Sequence, residues 1–177
     1  MLILRLIESI LEMYLKEIYY NSTKENWSKI YSRNAFNGGI NAEVICTDGK
    51  YKIENDELKF LLVHQNNSHF SFPKGHMEDG ETEVETALRE IKEETNLDVD
   101  IDTNFRFKIS YIIESKNKMK DAVYFVATPI TFNLKPQEGE ITSCDWYDYN
   151  TTFDSLEFDN AKDVLKKAYS YIKNKKY

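Results

Sequence analysis

The chain has 177 residues, six glycines, three prolines, two cysteines and a formal net charge of −7. That length predicts one domain with one sizeable core, and aromatic and hydrophobic contents of 14% and 41% exclude a disordered acidic protein. Cys46 and Cys144 alone exclude a disulfide scaffold and a four-thiolate zinc module. The charge is concentrated. Residues 76–100 hold ten acids and two bases and carry −8, which leaves +1 for the other 152 residues.

In chain order, Met1 to Tyr20 is apolar but broken by Arg5, Glu8, Glu12, Lys16 and Glu17. It cannot supply about 20 uninterrupted apolar residues for a membrane span, nor the uncharged stretch of a signal peptide. Leu4, Ile7, Leu11, Tyr14, Leu15 and Ile18 instead mark one face of an amphipathic helix. The spacing predicts a helical extension over 1–35 that packs on its own domain or on a partner subunit; a membrane-surface helix is the alternative, weakened by the acids. A cytoplasmic monomer or homodimer with no membrane partner is expected.

A second unit is predicted over 36–177. Ile40–Cys46 and Leu58–His64 read as strands joined through the Asp48-Gly49 turn. Phe105–Ile113, Ala122–Ile130 and Ile141–Tyr147 read as further strands. Asp159 is placed to cap a last helix whose residues Ala161, Val164, Leu165, Ala168, Tyr169 and Ile172 keep helical spacing. No internal repeat or low-complexity tract interrupts this pattern, which predicts a compact α/β or α+β domain.

Between these strands, Thr82 to Thr95 is marked as a helix. Thr82 and Glu85 form a capping box, Val84, Ala87, Leu88 and Ile91 make an apolar stripe, and Asn96 suits a left-handed end. Glu90, Glu93 and Glu94 then fall at i, i+3 and i+4 on one surface. Like charges at that spacing cost a few tenths of a kcal/mol per pair, and anions in the last turn oppose the helix dipole by roughly 0.3–1 kcal/mol each. A hard divalent cation reverses both penalties, while a solvated acidic face is the alternative fate of such a run. The loop before the helix adds to the case for a cation. Pro73 extends Phe72, Gly75 frees the backbone to present a carbonyl, and Lys74 sets a cation suited to phosphate beside the acids.

Gly75, Glu81 and Arg89-Glu90-Ile91-Lys92-Glu93-Glu94-Thr95-Asn96-Leu97 together resemble the 23-residue signature of the Nudix hydrolases. Eight of its nine specified positions match; Asn96 stands where the family usually has glycine, and no ligand position is altered. The resemblance implies an α/β/α sandwich with a mixed sheet and a pyrophosphohydrolase dependent on Mg²⁺ or Mn²⁺. By position, Glu90, Glu93 and Glu94 would hold metal with the Gly75 carbonyl, and Arg89 and Glu81 would form a supporting ion pair. The general base would be Glu93 or Glu94, or an acid from a distant loop such as Glu138 or Glu140.

The run Phe72-Pro73-Lys74-Gly75-His76 through Gly80-Glu81, with Trp146 and a final helix, is similar to the asymmetric diadenosine tetraphosphate hydrolases within that family. The similarity implies a dinucleoside tetraphosphate split into a nucleoside triphosphate and a monophosphate, with His69, Lys74, Lys118, Tyr111 and Tyr124 as substrate contacts. Arg106, Lys108, Lys116, Lys118 and Lys120 are in place to offset phosphate charge, and Tyr111, Tyr124, Phe107 and Phe125 either stack on a base or fill the core. Other readings are removal of pyrophosphate from 5′-triphosphorylated RNA, cleavage of nucleoside triphosphates or ADP-ribose, and a non-catalytic nucleotide-binding regulatory module. The last should lack glutamates in the signature, and this chain has them all. His64 is expected as an ordinary strand residue, and Cys46 and Cys144 as buried small residues.

Overall fold

The computed structural model of the chain describes residues 39–48, 58–66, 69–113 and 118–175. The expected N-terminal extension over 1–35, its boundary at residue 36, Gly49 of the first turn and Lys116 lie outside the described residues. Among the described residues seven strands and three helices follow in the order β1 (Ile40–Cys46), β2 (Lys59–Gln65), β3 (Phe70–Ser71), β4 (Lys74–His76), α1 (Glu83–Thr95), β5 (Val99–Ile113), β6 (Lys118–Pro129), β7 (Ile141–Asp148), α2 (Tyr149–Ser155) and α3 (Asp159–Asn174).

β1 organises the molecule because both of its faces are apolar. Ala42, Val44 and Cys46 pack with Ala87 and Ile91 of α1, while Ile45 on the opposite face packs with Val164, Leu165 and Ile172 of α3. Each large aliphatic side chain buried in this way contributes roughly 1.5–3 kcal/mol. A helix on either side of β1 makes the α/β/α sandwich. The sheet is mixed, as expected: its order is β4-β1-β6-β5, with β1 and β6 parallel and the two outer pairings antiparallel. A second, antiparallel sheet runs β3-β2-β7.

The capping box at Thr82 and Glu85 forms, and Asn96 ends α1 in the left-handed region at φ 63°. The expected apolar stripe is narrower, because Leu88 is 39% exposed while Thr86, Glu94 and Thr95 are buried. β5 begins at Val99 rather than Phe105, and a bulge between Asp102 and Arg106 lets its acidic start pair with the end of β6. The sequence pattern missed α2 altogether: YNTTFDS has no apolar period, and Asp148 caps it by accepting from the Thr151 N–H at 2.9 Å. Asp159 does not cap α3. The capping position is Phe158, with no side-chain bond, and Asp159 sits in the first turn where the helix dipole favours an anion.

Candidate active site

The acids of α1 are organised by Arg89. Its guanidinium grips Glu81 with two bonds, Nε to Oε1 at 2.7 Å and Nη2 to Oε2 at 2.9 Å. Nη1 donates to Glu90 at 2.6 Å and to Glu93 at 3.2 Å, and Nη2 also reaches the His76 carbonyl at 2.9 Å. Such charge-assisted, two-pronged bonds fix orientation as well as energy. The guanidinium, with the Glu78 N–H and the Thr86 hydroxyl, holds Glu81 down to about 2. Glu81 thus stays ionised and keeps Arg89 locked beside the other acids.

Glu94 is only 2% exposed. Burial pushes its carboxyl up to about 7, against the pull of the Lys74 ammonium. The Lys74 N–H donates to Oε2 at 3.0 Å and Gln65 Nε2 donates to Oε1 at 3.2 Å, so both oxygens are oriented. Glu90 is also raised, first by burial and then by the charges of Glu93 and Glu140, with Arg89 opposing. A side chain on Gly75 of β4 would collide with the Glu90 carboxylate, which would have to move to admit it.

A cavity of about 380 Å³ lies beside β4, lined among others by Glu43, His69, Lys74, Tyr111, Tyr124 and Phe158. Glu43, Lys74, Tyr111 and Tyr124 come from β1, β4, β5 and β6, and the registers Glu43↔Lys74, Glu43↔Tyr124 and Tyr111↔Lys120 bring them to one face. His69 Nδ1 bonds Glu157 at 2.7 Å and its ring stands edge-on to Phe158 at 4.7 Å. Lys74 belongs to both regions. Its N–H holds Glu94, and its ammonium donates to Ser71 Oγ at 3.0 Å in the cavity wall.

The structure therefore brings together Gly75, Glu81, Arg89, Glu90, Glu93 and Glu94 around α1, and His69, Lys74, Tyr111 and Tyr124 around the cavity. Glu140 is exposed, close enough for its charge to act on Glu90. Lys118 opposes Ile113 at the start of β6 and is not part of the cavity wall, whereas Lys120 opposes Tyr111. Arg106 is held by Glu83 through two bonds of 2.7 Å and Lys108 by Asp121 at 2.5 Å, so both serve the surface of the sheet. Phe125 is core, and the His64 ring packs at a tilt against Phe70 with centroids 4.8 Å apart. Cys46 is buried and Cys144 half-buried. Glu43, Gln65 and Phe158 escaped the sequence reading. Only Glu43 carried a signal, a lone acid within the apolar strand INAEVIC.

Among the described residues no three acidic, imidazole or thiol side chains converge as a ready metal cage. The donor set nevertheless fits a hard divalent cation: three carboxylates, two of them raised by burial, and a glycine whose missing side chain leaves room for the Glu90 carboxylate. Glu90 and Glu93 are instead turned to Arg89. None of the described helices is long and apolar enough to cross a membrane.

The NUDIX domain profile matches residues 44–169. The chain is 28% identical over 127 residues to the asymmetrical bis(5′-nucleosyl)-tetraphosphatase of Sus scrofa, covering 68% of this chain and 85% of that protein. It is 32% identical over 120 residues to the m7GpppN-mRNA hydrolase of Saccharomyces cerevisiae, covering 64% of this chain but 12% of that protein. A crystal structure of a binary complex of the C. elegans Ap4A hydrolase superposes with a TM-score of 0.65 at 23% identity, covering 76% of this chain and 97% of that one.

Proposed function

We propose that this chain, which belongs to the Nudix family and is a hydrolase of phosphoric anhydrides, splits a dinucleoside tetraphosphate into a nucleoside triphosphate and a monophosphate. The observation that carries this reading is the double role of Lys74. One strand residue touches the buried acid of α1 through its backbone and the wall of an aromatic cavity through its side chain. A base in the cavity would thus place its polyphosphate across β4, an edge strand, next to Glu90, Glu93 and Glu94. The asymmetrical tetraphosphatase of Sus scrofa, similar over most of its length, supports the substrate class.

Nudix hydrolases use divalent metals, and Mg²⁺ is the ion proposed here. Glu90, Glu93, Glu94 and the Gly75 carbonyl would hold it. When bound, such an ion neutralises the anhydride oxygens and lowers the pKa of a coordinated water. The protein's own groups do the rest. Arg89, clamped by Glu81, keeps Glu90 and Glu93 side by side; the Lys74 N–H and Gln65 aim Glu94; and the Lys74 ammonium meets phosphate. Water attacks phosphorus in line, with positioning and charge compensation supplying most of the rate. Glu93 or Glu94 takes the proton from that water, and Glu140, exposed on its loop and near enough for its charge to act on Glu90, is the alternative acceptor.

A product-resolved screen tests the assignment: dinucleoside polyphosphates, nucleoside triphosphates, ADP-ribose and 5′-triphosphorylated RNA, each with Mg²⁺. The expected result is the highest kcat/KM on a dinucleoside tetraphosphate. Preference for triphosphorylated or capped RNA would instead favour the second reading, to which the similarity with the yeast m7GpppN-mRNA hydrolase points.

A further inference from the structure

Glu43 has no part in the reaction described above, yet it is the least expected residue of β1. Its neighbours Ala42 and Val44 are fully buried and apolar, and Glu43 itself is 7% exposed. Leaving an ionised carboxylate in such a place is costly unless it is paired. Burial pushes it up to about 7, against the pull of the Lys74 ammonium, the Tyr124 hydroxyl and the Lys120 ammonium. On the parallel neighbour β6 the position opposite Glu43 is Tyr124, flanked on the same face by the apolar Ala122 and Val126, so packing of the sheet needs no acid here.

What Glu43 does face is the cavity. It lines the wall with the buried Tyr124 and with Tyr111 and Phe158, whose rings offer stacking surfaces; Phe158 is 52% exposed. A volume of about 380 Å³ is within the range of small-ligand sites. An ionised carboxylate is acceptor-only and has about four lone-pair sites, of which the Tyr124 hydroxyl takes one. It therefore suits a planar ligand edge that offers two adjacent donors.

We propose that Glu43 makes this cavity selective for guanine, accepting the adjacent N1–H and N2–H groups of that base while the neighbouring rings stack on its face. The proposal rests on the nucleotide reading above and narrows it. Adenine turns a lone pair at N1 toward the carboxylate and offers one donor, so its entry leaves a buried acceptor unpaired. Sites built on buried polar groups reject analogues that cannot satisfy them. Hypoxanthine keeps N1–H but lacks the second donor and falls between the two.

The test is an NMR titration of the full chain with GMP, IMP and AMP at pH 8.5, where Glu43 is ionised, without divalent metal. None of the three contains an anhydride, so the outcome does not depend on turnover and is distinguishable from a failure of the hydrolase assignment. GMP is expected to bind about tenfold more tightly than AMP, with IMP between, a ratio in the range of one good two-bond contact. Glu43→Gln keeps the volume and is expected to bring the ratio below about threefold. Equal affinities in the native chain, a ratio unchanged in Glu43→Gln, or no binding of any of the three overturns the proposal. Equal weakening of GMP and AMP in the variant also overturns it, because Glu43 then only holds Lys74 and Lys120. If Glu43→Gln does not fold, GMP and IMP on the native chain decide, and equal affinity is the contradicting result.

Discussion

A methyl group on Gly75 would occupy the space of the Glu90 carboxylate, so a side chain here displaces that carboxylate, while the backbone angle sets no such limit. Gly75→Ala is expected to lower kcat by at least about 30-fold with the circular dichroism spectrum unchanged; near-native turnover would show that Glu90 moves freely. Glu43 gives a second test. Its folded value, about 7, lies above the ordinary carboxylate range, so the folded state binds the extra proton between about pH 4.5 and 7. Stability from this group therefore falls as pH rises through that window and is level above it. Glu43→Gln should accordingly raise the melting temperature more at pH 8 than at pH 5, and a gain independent of pH contradicts the assignment. The two residues also mark what the sequence showed. The acids of α1 were legible because helical spacing alone puts positions 90, 93 and 94 together. Glu43 was not, because Tyr124, Lys74 and Lys120 reach it through strand pairings far apart in the chain.

At the scale of elements, α1 was readable to within one residue because its start and stop are chemical signals. Thr82 and Glu85 satisfy each other's backbone donors, and Asn96 closes the last turn by donating its N–H to the Lys92 carbonyl at 2.8 Å. Thr82→Ala removes one half of that box and should cost about 1 kcal/mol. A thermal melt lower by roughly 2–4 °C checks it, and an unchanged melt would mean that packing alone defines the helix start. Along the same helix, Glu93→Gln and Glu94→Gln should each lower kcat by two orders of magnitude or more. Glu140→Gln should lower it less than either, and a larger loss would move the proton acceptor off the helix. α2 and the short strands β3 and β4 were not legible. Two- and three-residue strands carry no period, and β4 exists because the Asn41, Ala42 and Glu43 backbone of β1 lies opposite it. The basic residues of β5 were legible as charges but their ion pairs were not, since Glu83 and Asp121, which pair with Arg106 and Lys108, come from other elements.

For the whole molecule, the net charge of −7 is the sum of an acidic loop-helix and a nearly neutral remainder. With Glu90, Glu93 and Glu94 on one helix face, the folded protein without a cation carries repulsion that a divalent ion relieves. At 100 times its Kd, Mg²⁺ should stabilise the fold by about 2.7 kcal/mol, a rise of roughly 5–10 °C in melting temperature. The rise should vanish in Glu94→Gln; a rise that persists would place the ion elsewhere. In the proposed reaction water opens an anhydride of a dinucleoside tetraphosphate off its midpoint. The most direct measurement is mass spectrometry of the products formed from diadenosine and diguanosine tetraphosphates with Mg²⁺ in water enriched in ¹⁸O. The expected products are nucleoside triphosphate and monophosphate in equal amounts, with a single ¹⁸O in one of the two. Two molecules of nucleoside diphosphate, or substrate left intact, would contradict it.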